Sequence, residues 1–421
     1  TVFVKQHSIL DVFAALALSL VLYLVMSRSV PFFKTIQRKT DRVGLITREN
    51  LSGARVVRAF RKQQQEQQRF DEACDDLARN TIHIGKLNAV LAPFSFLILN
   101  LGIVAILWFG GVRVNAGSMT QGEVVAFVNY MNQILLALVV VANLVVVFTK
   151  AAASAARVNE IFDTVPSVND RNNDEVRPVS GAARISFKNV DFNYYEGAAE
   201  ALHHINVDIM PGESVGVIGG TGSSKSTMVQ LIPRLYDATS GQVLVDGVDV
   251  KRYPLWQLHA KIGMVPQGNL LFSGTIRENL QWRMPGATDE QLWAALETAQ
   301  AAEFVRKLPM GLESPVSQGG ANFSGGQKQR LTIARALVGA PDILILDDSS
   351  SALDYATDAA LQQALHRMKP MPTVITVSQR VSTVKRCDRI LVMDEGEIVG
   401  SGTHEQLLAN CPTYQEICYS Q

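Results

Sequence analysis

Cysteine is scarce in this chain: Cys74, Cys387, Cys411 and Cys418 are scattered through 421 residues without CxxC or metal-ligand spacing. That excludes a disulfide-stapled scaffold and a cysteine-held zinc site, and the four are expected as free thiols. Net charge is lacking too, with 39 basic against 39 acidic side chains, so no global field invites a nucleic acid. Internal repeats and low-complexity tracts are missing, which excludes solenoids and arrays. The N-terminus has neither the basic start nor the cleavage site of a signal peptide.

What is present is uneven. Apolar runs dominate up to about Lys150, whereas Gly, charge and turn signals reach the density of a soluble α/β domain from about Asp163. Length alone favours two or more domains. We divide the chain into a membrane part at 1–160, a linker at 161–182 and a soluble domain at 183–421. Three stretches, Ser8 to Met26, Leu87 to Trp108 and Val124 to Phe148, have the about 20 apolar residues a bilayer requires. Basic residues from Arg28 to Lys62 crowd the segment after the first stretch, which by the positive-inside rule is cytoplasmic. The short "GGVRVNAGSMTQGE" turn then lies outside, and the third span returns the chain to the cytoplasm.

The excursion at about 28–86 is rich in helix formers and predicts two antiparallel helices with a tip near "ENLSGARVV", reaching about 40 Å from the membrane. Asn129, Asn132, Gln133 and Asn143 are amides at membrane depth and are expected to face other helices or a wet cavity. Interhelical hydrogen bonding is their plainer reading, substrate contact the sharper one. Asp11 reads as interfacial, and Pro93 is expected to kink or start the second span.

In the soluble part, "VGVIGGTGSSKSTMVQLI" reads as strand, glycine loop, helix. Gly219, Lys225 and Ser226 match the phosphate-loop pattern G-x-x-x-x-G-K-[ST], while Ser224 stands where the second glycine is required. Backbone N–H groups from Gly219 through Gly222, Ser223 and Thr227 would face phosphate, with Lys225 adding charge and Ser226 a hydroxyl for Mg²⁺. A side chain at Ser224 is costly if its backbone needs positive φ.

About a hundred residues on, "NFSGGQKQRLTIARAL" runs directly into "PDILILDDSSSALD". With these motifs the chain resembles the ATP-binding cassette (ABC) family, over essentially the whole soluble half. The resemblance implies an α/β P-loop ATPase with ATP and Mg²⁺ as cofactors. It makes Ser324, Gly325, Gly326 and Gln327 the signature that meets a partner's ATP. Gln267 resembles the glutamine that senses Mg²⁺, Tyr194 the aromatic that stacks on adenine, Asp347 the metal-side carboxylate, and Ser351 to Asp354 the loop joining two sites in a dimer. "RENLSGARVVRAFRKQQQEQQRF" resembles the exporters' coupling loop. Such half-transporters carry six spans where this chain shows three, so it resembles the latter part of one.

At two further positions the chain departs from the family. Asp348 replaces the Glu that acts on the attacking water, and Gln379 replaces the His that contacts the γ-phosphate. The resemblance therefore narrows to the degenerate-site subunit of heterodimeric bacterial multidrug exporters. It implies a second half-transporter as partner, contact with membrane lipid, an amphipathic small-molecule substrate, and a place in the bacterial inner membrane with the ATPase domain cytoplasmic. The alternatives are an ATP-gated regulatory membrane protein or channel, and a nonfunctional truncated remnant. A chromosome-structure ATPase is excluded because no coiled coil separates the phosphate loop from the signature.

Overall fold

The computed structural model describes residues 35–170, 174–195, 197–350 and 352–421, with residues 16 and 20 besides. The expected first span, Asp11 and Ser351 lie outside the described residues. Two compact units divide the chain, Thr1–Thr164 and Val165–Gln421.

The first unit is helical. Residues 35–52 form α1, a short α2 (Ala54–Ala59) makes the tip, and α3 (Gln63–Asn115) runs back antiparallel to α1. Lys39 pairs with Asp76 at 2.6 Å and Arg69 with Glu49 at 3.2 Å, fixing the hairpin register. The Lys39 ammonium, by hydrogen bonding, holds the Asp76 carboxyl below its ordinary range. Pro93 lies inside α3 rather than at its start. No cap signal interrupts the sequence between hairpin and membrane, so a single helix spans both. Among the described residues one stretch, Phe96–Asn115, is long and apolar enough to cross a membrane, nearer the C-terminus than the expected Leu87 to Trp108.

Only residues 116–120 separate α3 from α4 (Gln121–Asp163), a tighter turn than expected. Thr120 accepts the Glu123 N–H while the Glu123 carboxylate accepts the Thr120 N–H, a capping box that fixes the start of α4. Small residues let the helices approach: Gly110 faces Val124 and Gly102 faces Met131, beside buried Ile106. Asn132 donates to the Val128 carbonyl of its own helix at 3.1 Å, the plainest way to satisfy an amide at that depth. α4 continues through Asp163, so the expected linker start at 161 falls within a helix.

The second unit holds two main sheets. An antiparallel one, ordered β2-β1-β4-β5, uses β1 (Ile185–Phe192), β2 (Leu202–Ile209), β4 (Ser240–Val245) and β5 (Val248–Asp249). The other is ordered β12-β11-β3-β10-β9-β6, from β3 (Ser214–Gly219), β6 (Ile262–Val265), β9 (Ile343–Asp347), β10 (Thr373–Val377), β11 (Arg389–Asp394) and β12 (Glu397–Gly402). It is parallel except for edge strand β12. Its inner strands are apolar almost throughout because both faces are covered, one by a core shared with the antiparallel sheet and the other by helices. A two-stranded ribbon joins β7 (Gly274–Thr275) to β8 (Pro315–Val316).

The helices of this unit are α5 (Lys225–Leu231), α6 (Leu255–Lys261), α7 (Ile276–Leu280), α8 (Asp289–Thr298), α9 (Ala302–Lys307) and α10 (Gly325–Leu337), then α11 (Tyr355–His366), α12 (Val381–Val384), α13 (His404–Asn410) and α14 (Pro412–Tyr419). Helices α7 to α10 form a second core with β9. Helices α13 and α14 bury Leu407, Cys411 and Tyr414 against Ile218, Ile390 and Val392 of β3 and β11.

Candidate functional site

The parallel register sets Val377 beside both Val217 and Asp347, so β10 and β9 end level while β3 runs on to Gly219. Three loops therefore leave one edge of the sheet together, the position at which open α/β sheets bind ligands.

The loop after β3 is shaped by close approach. A Cβ on Gly219 would lie 2.1 Å from the Met393 carbonyl oxygen, which only glycine avoids. Ser224, just before α5, sits at φ 65° and ψ 22°, in the left-handed region where a Cβ is strained. The Lys225 ammonium folds back into the loop, donating to the Gly219 carbonyl at 3.0 Å, the Gly220 carbonyl at 2.6 Å and Ser223 Oγ at 3.1 Å. Burial lowers its pKa, opposed by the charges of Asp347 and Asp348.

Ser226 Oγ donates to Asp347 Oδ1 at 2.8 Å. Asp347 is 1% exposed, and burial raises its pKa although the Ser226 bond and Lys225 act the other way. A cavity of about 310 Å³ opens beside this pair. Its walls carry Gly222, Ser224, Lys225, Ser226, Thr227, Gln267, Asp347, Asp348 and Gln379, with Thr221, Val377 and Ser378 in addition. Asp348 has φ 49°, and its N–H donates to the Val377 carbonyl at 2.9 Å, holding the loops after β9 and β10 together.

The donor set suits Mg²⁺, which takes hard oxygens from one or two protein groups beside substrate phosphates. A serine hydroxyl meets a carboxylate whose burial leaves its charge poorly solvated, and the Gln267 side chain lines the same cavity. Among the described residues no cluster of His, Cys, Asp and Glu makes a self-contained metal cage.

Other expected residues lie off the cavity wall. Gly219 and Ser223 support it from behind through Lys225. Tyr194 is half exposed, bonds Thr227 Oγ1 through its hydroxyl at 2.8 Å, and packs edge-on against Phe192 and Tyr236. The signature begins α10: Ser324 Oγ accepts the Gln327 N–H at 3.3 Å, and the Gln327 carboxamide oxygen accepts the Ser324 N–H at 2.9 Å. None of the four signature residues lines this chain's own cavity. Asp354 caps α11 by accepting from Thr357 N–H at 3.1 Å and Thr357 Oγ1 at 2.7 Å. Thr221 and Ser378 were missed; Thr221 sits inside the quoted glycine loop, and Ser378 directly follows the apolar run "TVITV".

A family profile described as ABC transporter matches residues 202–351, and one described as ABC transporter transmembrane region matches residues 7–138. The ABC transporter ATP-binding protein Rv1273c of Mycobacterium tuberculosis is 40% identical over 404 residues, 95% of this chain and 69% of that protein. The chain belongs to the ABC transporter family. An ATP-bound bacterial Atm1-family ABC exporter matches its fold with a TM-score of 0.82 at 28% identity, over 97% of this chain and 71% of the other. The ATP-dependent lipid A-core flippase of Syntrophus aciditrophicus is 35% identical over 88% of this chain and 61% of its own length. This ABC transporter chain thus joins an exporter-type membrane region to an ATPase domain, with the cavity of Lys225, Ser226 and Asp347 at the C-terminal edge of β3, β9 and β10.

Proposed function

We propose that this chain is one half of a heterodimeric ABC exporter whose own ATP site binds nucleotide with Mg²⁺ but turns it over slowly. One observation carries the reading: Asp348 and Gln379 line the same cavity as Lys225, Ser226 and Asp347. Lys225 and the loop N–H groups would hold phosphate, and Ser226, Asp347 and Gln267 would hold Mg²⁺, which when bound would neutralise phosphate charge. Asp348 is one methylene shorter than Glu, which withdraws its carboxylate by about 1.5 Å, and a misplacement of about 1 Å can cost about 10²-fold in rate. Gln379 can donate a hydrogen bond but carries no charge for a transition state that depends on electrostatic stabilisation.

The signature has an unimpaired local geometry, Ser324 and Gln327 closing a capping box at the start of a 13-residue helix. That supports a division of labour in which Ser324, Gly325, Gly326 and Gln327 complete a competent site on the partner, and the loop from Ser351 to Asp354 joins the two sites. ATP draws the ATPase domains together, the tip around Glu49 to Val57 transmits closure, and hydrolysis at the partner's site resets the cycle. Amphipathic molecules, drugs or lipids, are the substrate class, and the resemblance to a lipid A-core flippase favours lipids. The chain acts in the bacterial inner membrane with its ATPase domain in the cytoplasm.

The test introduces Asp348→Glu and Gln379→His together and measures ATP turnover with the partner's site disabled. A gain of about 10²-fold or more is expected. No gain, or brisk hydrolysis by the unmodified chain paired with itself, refutes the proposal.

A further inference from the structure

Gln379 reaches the cavity from the loop after β10, and this loop has a second attachment. The Gln421 side chain lies across it: its carboxamide nitrogen donates to the Gln379 carbonyl at 2.5 Å, and its carboxamide oxygen accepts the Val381 N–H at 2.8 Å. Both partners are backbone groups of fixed polarity, so the amide has one orientation that satisfies both. The contact joins positions 42 residues apart in sequence.

The other end of this attachment is anchored firmly. Gln421 follows α14, whose Tyr414 is fully buried among Ile218, Ile390 and Val392 and bonds His404 Nδ1 through its hydroxyl at 2.8 Å. Ile218 belongs to β3, the strand that runs into the phosphate loop. The segment is also held from within, Ser378 Oγ accepting the Arg380 N–H at 3.0 Å. One helix is thus seated on the strand feeding one wall of the cavity and clips the backbone of the loop that forms another.

We propose that Gln421 is a positioning residue for the nucleotide site, its carboxamide fixing the backbone that presents Gln379 and Ser378 to bound ATP. The inference rests on the reading that this cavity holds ATP. The clip restricts the loop before ligand arrives, so less ordering is left to accompany binding. Gln421 itself touches no nucleotide.

The test photolabels the full chain, together with its partner in membrane vesicles, with 8-azido-ATP on ice, and resolves the labelled chain on a gel. Gln421→Met keeps the length and apolar stem but makes neither bond, and Gln421→Ala removes the stem as well. Both are expected to raise the half-saturating concentration by about three- to tenfold, and equally, as loss of two exposed hydrogen bonds implies. Because the clip is also made without nucleotide, the unfolding midpoint of nucleotide-free protein is expected to fall by only about 2–4 °C. Unaltered half-saturation in Gln421→Met overturns the proposal, provided Lys225→Ala abolishes labelling. A larger fall in the nucleotide-free midpoint would make Gln421 a structural tether of the domain and overturn it too. Labelling that survives Lys225→Ala refutes instead the assignment of ATP to this cavity, and the inference with it.

Discussion

Replacing Ser224 by glycine separates backbone strain from side-chain chemistry at the phosphate loop. Ser224 occupies φ 65°, where an L-residue is disfavoured by about 1–2 kcal/mol, and its hydroxyl makes no capping bond that would offset this. Glycine removes the strain but adds about 0.5–1 kcal/mol of chain entropy to be lost on folding. The net is a gain of about 0.5–1 kcal/mol for Ser224→Gly, or about 1–4 °C in unfolding midpoint for a domain of this size. Ser224→Ala keeps the Cβ and the strain, so it should gain nothing. Calorimetry on nucleotide-free protein reads the difference, and titration with ATP should show the glycine variant binding several-fold more tightly, because its loop N–H groups meet phosphate without a Cβ beside them. If both variants melt alike, the left-handed backbone is not what Ser224 costs, and the reasoning fails.

Two further outcomes follow from contacts elsewhere. A Cβ at Gly110 would stand 2.9 Å and 3.1 Å from the Val124 methyls, whereas Gly111 has nothing within 4 Å. Gly110→Ala should therefore destabilise the α3–α4 pair by about 1–3 kcal/mol, with Gly111→Ala as the silent control and Val124→Ala as the compensating change; heat-inactivation midpoints measure it. At Cys387, burial favours the neutral thiol and pushes its pKa up to about 11. Its alkylation by iodoacetamide, followed by mass spectrometry, should rise about tenfold per pH unit from pH 7 to pH 10 without a plateau. A plateau near pH 8.5 would contradict that environment.

The site was legible where chemistry dictates local sequence. Gly219 is demanded by the Met393 carbonyl, Lys225 is bonded into the glycine loop, Ser226 bonds Asp347, and Asp347 ends a buried strand, so each leaves a mark in a short motif. The strain at Ser224 was legible as a missing glycine. Helix ends in the membrane half were not, because hydropathy marks where lipid begins and says nothing of where backbone hydrogen bonding stops; α3 passes through Pro93 and through that boundary alike. The "TQGE" capping box at Thr120 was a local signal that would have fixed the start of α4. The contact between Gln421 and the Gln379 loop had none, since two backbone groups and a terminal-region amide leave no pattern at such separation.

The unbroken α3 makes Pro93 more than an irregularity. About 45 Å of helix precede it and about 33 Å follow it. Since proline lacks the N–H that would stiffen this turn, any flexing of the rod concentrates there. A bend of about 10° would swing the hairpin end sideways by about 8 Å, roughly the spacing between packed helices. A single imino acid thereby sets the fulcrum of a lever, and the leverage follows from where along the helix it sits.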